Sequence, residues 1–212
     1  MRSYPALLSL AVATLVAGCA VLALAGCSPA ATRSPAAAAG CAQPGAASDG
    51  VSAAGAVGNM PDVTFSAPLT AADTERTVLT VGGGVPVQAG DTVELGVAFY
   101  NGRTGAKIDA RGFGPGTSGL DTGAPVRVDL AAPSGTLPGI LKAVTCSTVG
   151  SRVAVVASPA DAWGAKDNPD LDLRAADNVV IVVDVQAAAA TPAPVAPATD
   201  LPATQAPDTN VG

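Results

Sequence analysis

Covalent catalysis has little to work with in this sequence. Its 212 residues include no histidine, which removes His-based triads and most catalytic metal sites together. The triplet Gly82-Gly83-Gly84 is not followed by Lys-Ser/Thr or by a helical pattern, so it reads as a turn or bulge rather than a phosphate loop. A net charge of −6 argues against nucleic-acid binding and against polybasic docking to membranes, both of which need clustered Lys and Arg. Neither a metal nor a cofactor is expected.

The cysteines are the remaining reactive groups, and their positions sort them. Residues 1–27 carry one Arg and then a mostly apolar run ending in Leu24-Ala25-Gly26-Cys27. This is a secretory signal pattern, and the last four residues resemble the bacterial lipoprotein box, which implies cleavage and lipidation at Cys27. Val16-Ala17-Gly18-Cys19 is a weaker second match, and an uncleaved membrane-spanning helix is the bland alternative. Residues 28–58 are nearly all Ala, Gly, Ser, Pro and Thr and read as a disordered tether. With Cys19 in the signal and Cys27 lipidated, Cys41 and Cys146 are left as an even pair in an oxidising compartment. They are expected to form a disulfide rather than stay free thiols.

The elements that would position a site come from periodicity. Leu137, Ile140, Leu141 and Val144 fall at i, i+3, i+4 and i+7, the stripe of one short helix. Thr136 is its expected N-cap, Pro138 sits in its first turn, and Gly150 closes the pattern. Residues 152–157 (RVAVVA) and 179–185 read as buried strands. Residues 75–81, 92–100 and 125–130 read as further strands. Asn101-Gly102 is a hairpin signal with 103–109 as its partner, and residues 61–68 form a short extended segment anchored by Phe65. From 188 to 212 the chain is Ala, Pro and Thr and is expected to be a disordered tail. Many strands and one short helix imply an α+β fold, an antiparallel twisted sheet (a half-barrel) wrapped around that helix over residues 59–187.

Residues 136–164 resemble the FKBP-type peptidyl-prolyl isomerases. The match rests on Leu137-Pro138-Gly139 opening the helix, Val149-Gly150-Ser151-Arg152 turning into the strand, and Ser158-Pro159 ahead of Trp163-Gly164. Gly105-Ala106-Lys107-Ile108-Asp109 looks like the family's G-x-x-F-D segment, and 180–185 looks like its last strand. The resemblance implies an FKBP-like fold and a catalytic set of Asp109 facing the substrate carbonyl, the backbone N–H of Leu137, and Trp163 in place of a hydrogen-bonding Tyr. It also implies a pocket floored by Ile140 and walled by Ile108, Val126 and Val183, where the family has aromatics. Phe99 would join the walls if the register shifts by one residue near 100. The bland readings are a turn acid for Asp109, a core-edge plug for Trp163, and a solvated or ion-paired strand residue for Arg152.

The implied activity is prolyl cis-trans isomerisation of secreted or cell-envelope polypeptides by a monomer held outside the cytoplasm through lipidated Cys27. Its partners would be proline-containing polypeptides. Because the aromatic ring of the pocket is mostly aliphatic here, a catalytically degenerate FKBP-like peptide- or protein-binding module is the alternative. An unrelated β-sandwich lacking the helix is the third possibility.

Overall fold

The structure is a computed structural model and describes residues 41–190 apart from Ser118 and Leu120. The expected signal, Cys19, Cys27, the tether from 28 to 40 and the tail from 191 to 212 lie outside the described residues. Among the described residues, no helix is long and apolar enough to cross a membrane.

The chain opens with α1 (Ala46–Asp49), β1 (Ser52–Ala54) and β2 (Asp62–Thr64). It then runs β3 (Glu75–Thr80), β4 (Asp91–Asn101), β5 (Lys107–Arg111), β6 (Val126–Asp129), α2 (Pro138–Val144), β7 (Arg152–Ala157) and β8 (Val179–Ala190). The order in the main antiparallel sheet is β3-β7-β8-β4-β5, with β6 also on β4. The α+β class with an antiparallel sheet around a short helix is therefore as the sequence implies. The helix starts one residue late: its N-cap is Leu137, in extended backbone, and Thr136 does not cap it. Pro138, at N1, gives up an N–H that no intrahelical carbonyl would have taken. Gly139 allows close approach, because a Cβ there would lie 3.0 Å from Ile181 Cδ1 and 3.1 Å from Ala157 Cβ.

Alternation divides the sheet into two faces. Val153, Val155, Val179, Ile181, Val183, Val185, Val93, Leu95, Val97 and Phe99 form one core with Ile140, Ala143 and Val144 of α2. Ala154, Val156, Val180, Val182, Ala98 and Tyr100 form a second core with Ala47, Val51, Met60 and Phe113. Both faces are thus dry, which is why β7 and β8 read as unbroken apolar runs.

The second core corrects the expected tether. Residues 41–58 are folded against the sheet, so the domain begins by Cys41 rather than at 59. Little apolar bulk is needed because polar anchors hold this arm. Glu75 Oε2 accepts the N–H groups of Ala47 and Ser48 at 2.8 and 3.0 Å and closes the start of α1. Arg152 and Asp184 pair directly across β7 and β8. Their ion pair, 2.7 Å long, is fully buried. Arg152 also donates to the carbonyls of Ala53, Ala54, Gly55, Ala56 and Asn59. Asp184 accepts the Gly58 N–H at 2.6 Å. Of the two readings open for Arg152, it is the ion-paired one that holds, not the solvated one.

Cys41 and Cys146 are disulfide-bonded with Cα atoms 6.0 Å apart, as the cysteine count implies. The expected tail boundary also moves. β8 continues to Ala190 by pairing Ala187–Ala190 with Asp91–Glu94, past a register shift between Glu94 and Leu95.

Candidate functional site

Three strands, one helix entry and one loop meet at a cleft of about 310 Å³. β4 contributes Val97 and Phe99, β5 contributes Asp109 and Arg111, and β6 contributes Val126 and Val128. Within each strand these residues are two apart, so the pleat alone puts them on one face. Gly135, Thr136 and Leu137 form the rim at the start of α2, Ile140 comes from its first turn, and Trp163 closes the far side.

The register places the two kinds of wall opposite one another. Phe99 pairs with Asp109, and a shift then sets Tyr100 against Lys107. The Phe99 ring meets Trp163 edge-on, with centroids 5.3 Å apart and planes at 63°. Trp163 is about one-third exposed while Phe99 is buried, so the pair forms a wall with one wet edge.

The Trp163 loop is fixed from both sides. A 3₁₀ turn at Pro159–Asp161 precedes it. The Asp161 carboxylate is bound by the Lys142 ammonium of α2 and by the Thr74 hydroxyl. Thr74 also accepts the Ser158 N–H at 3.0 Å. Burial alone would raise the Asp161 carboxyl, but hydrogen bonds from Lys142, Thr74 and Ser158 and the Lys142 charge outweigh it and hold it below its usual range. At the other end of α2, Arg76 is buried and donates to Ala143 O, Cys146 O and Ser147 Oγ. A cation there complements the negative end of the helix dipole, and burial lowers the arginine's pKa from its ordinary value.

Polar groups in the cleft are few. Asp109 Oδ1 accepts the Ala110 N–H at 2.9 Å, and Oδ2 accepts Arg111 Nε at 2.7 Å in a solvent-exposed pair. The N–H of Leu137 and the indole N–H of Trp163 find no acceptor among the described residues. Two N–H donors, the Asp109–Arg111 pair and an apolar wall are suited to orienting a peptide. Among the described residues, no group of three or more Cys, Asp and Glu side chains is placed to share a metal ion.

Of the expected site residues, Asp109, Leu137, Trp163, Phe99, Val126 and Ile140 line one hollow. Ile108 does not. It falls at the register shift after Phe99, packs against the helix-face core, and borders a separate hollow with Pro169 and Leu171. Val183 does not either. It is fully buried in the middle of β8, paired with Val97 and Val153, and belongs to the core. Val97, Arg111 and Val128 were missed, although each lies two residues from an expected one and alternation would have found them.

No family model matches the chain, and no curated protein matches it. Three solved structures are similar to it. The N-terminal domain of FKBP42 from Arabidopsis thaliana is 17% identical, with 61% of this chain and 96% of that one covered and a TM-score of 0.47. FkpA from Escherichia coli is 19% identical, with 56% and 49% covered and a TM-score of 0.43, so the match spans about half of that protein. A peptidyl-prolyl cis-trans isomerase from Pseudomonas syringae pv. tomato is 20% identical, with 54% and 74% covered and a TM-score of 0.42.

Proposed function

We propose that this domain binds Xaa-Pro peptides in the cleft and catalyses their cis-trans isomerisation, outside the cytoplasm, on a chain anchored to the membrane through lipidated Cys27. The observation that carries the reading is the convergence of Asp109, Leu137 and Trp163 on one apolar hollow together with Phe99, Val126 and Ile140. The barrier to the reaction is the roughly 18–20 kcal/mol of amide resonance. Twisting the bond reduces its charge separation, so a water-poor wall favours the twisted amide over the planar one. The N–H groups of Leu137 and Trp163 are donors still free to hold the peptide carbonyls on either side of the twist. No nucleophile, metal or redox group is required.

A second reading is favoured by the engagement of Asp109 with Arg111 and by the aliphatic lining. In that reading the cleft holds proline peptides without accelerating their rotation. NMR exchange spectroscopy on a short Xaa-Pro peptide separates the two. Catalysis predicts exchange that slows about tenfold or more with Trp163→Ala and with Asp109→Ala, a loss of about 1.4 kcal/mol of transition-state stabilisation each. Equal rates for the wild type and both variants would remove the catalytic claim. Line broadening from binding without added exchange would establish the second reading.

A further inference from the structure

The described residues end close to the cleft, and a proline-rich sequence follows them. β8 ends at Ala190, and within it Ala188 pairs with Val93 of β4, which pairs with the cleft residue Val128 of β6. Two strand spacings, about 10 Å, therefore separate the end of β8 from the cleft wall. Residues 191–212 follow, with prolines at 192, 194, 197, 202 and 207. Eleven residues lead from Ala190 to Leu201, enough to span about 36 Å when extended, so reach is not limiting.

These five Xaa-Pro bonds are not equivalent. Thr, Ala, Ala, Leu and Ala precede them, and only Leu201 offers a side chain able to fill an apolar hollow walled by Val97, Val126, Val128 and Ile140. The segment also has Asp200 and Asp208 and no Lys or Arg, while the cleft presents the largely exposed Arg111 side chain. An arriving Asp200 would compete with Asp109 for that guanidinium and release the Asp109 carboxylate.

We propose that the segment Asp200-Leu201-Pro202-Ala203 docks in the cleft of its own molecule, making the tail a built-in competitor for outside peptides. The proposal rests on reading the cleft as a proline-peptide site. Tethering through about ten residues gives an effective concentration in the millimolar range. Against an intrinsic dissociation constant of about 0.1 mM, that occupancy weakens binding of an added peptide about tenfold.

The test uses the full chain and its Leu201→Asp/Pro202→Ala variant, neither change touching the cleft. Each is titrated with acetyl-Asp-Leu-Pro-Ala-amide, and fluorescence is read from Trp163, the one tryptophan in the sequence. The expected result is about tenfold tighter binding by the variant, unchanged when the protein is diluted tenfold. Equal affinities would overturn the docking and leave the peptide site standing. A difference that disappears on dilution would also overturn it, since the tail would then be acting between copies. No binding by either protein would overturn the docking and the reading of the cleft together.

Discussion

The two faces of the sheet are closed by different means. The face toward α2 is filled with Val, Leu, Ile and Phe side chains and ends in an open cleft. The other is covered by an arm of small residues held by an ion pair, backbone hydrogen bonds and a disulfide that ties its start to the end of α2. Apolar packing is non-directional and leaves room to vary what lines a hollow. Buried polar anchoring fixes one geometry and tolerates no missing partner. The face expected to do chemistry is thus the softer one, braced from behind by the stiffer one.

The largest effect is expected where the bracing is most polar. Arg152→Met strands the Asp184 carboxylate and leaves five hairpin carbonyls without their donor, so urea unfolding should show a loss near the upper end of about 3–5 kcal/mol. Adding Asp184→Leu should restore only part of it, because the carbonyls of Ala53, Ala54, Gly55, Ala56 and Asn59 still lack the guanidinium. Full recovery would mean that the hairpin carbonyls contribute nothing. Next comes the covalent tie. Cys41→Ser/Cys146→Ser opens a loop closed across 105 residues and should lower stability by about 2–4 kcal/mol. Peptide binding by the protein that remains folded should be unchanged. A loss of binding larger than the loss of stability would show that the arm shapes the cleft directly.

The smallest effect lies on the softer face and depends on pH. The folded-state pKa of Asp161 is lowered, so its contribution is complete above the unfolded value of about 3.9. It disappears as pH falls through the lower folded value. Trp163 emission should therefore change below about pH 4 while the arm is still folded, and Asp161→Asn should abolish that step. A change in which arm and loop titrate together would erase the distinction between the faces.

Much of this was legible in the sequence for identifiable reasons. The 137–144 stripe, the β-branched runs at 152–157 and 179–185, and the even pair of cysteines left after the signal each carry a strong local or compositional signal. The arm did not. Residues 41–58 look like a linker because Ala, Gly and Ser dominate, and what orders them lies elsewhere in the sequence: Glu75, the Cys146 sulfur, and a donor and an acceptor more than ninety residues away at Arg152 and Asp184. A clue was nevertheless present. RVAVVA and VVIVVDV do not alternate, and one helix covers only one face, so a second layer was required. The extension of β8 through Ala187–Ala190 was hidden because alanine has little strand preference of its own, and pairing with β4 decides it. In the cleft, Phe99 was reachable only through the shift that follows it, and the same shift sends Ile108 elsewhere.

The bond between Cys41 and Cys146 also determines how the molecule would carry a mechanical load. Were the chain held at a surface by residues before Cys41, tension would enter at that cysteine and cross the sulfur bridge straight to the end of α2. The hairpin, the edge strand and every cleft wall except Trp163 lie within the bypassed stretch from 42 to 145. They could be jostled but not pulled out lengthwise until the bridge was cut.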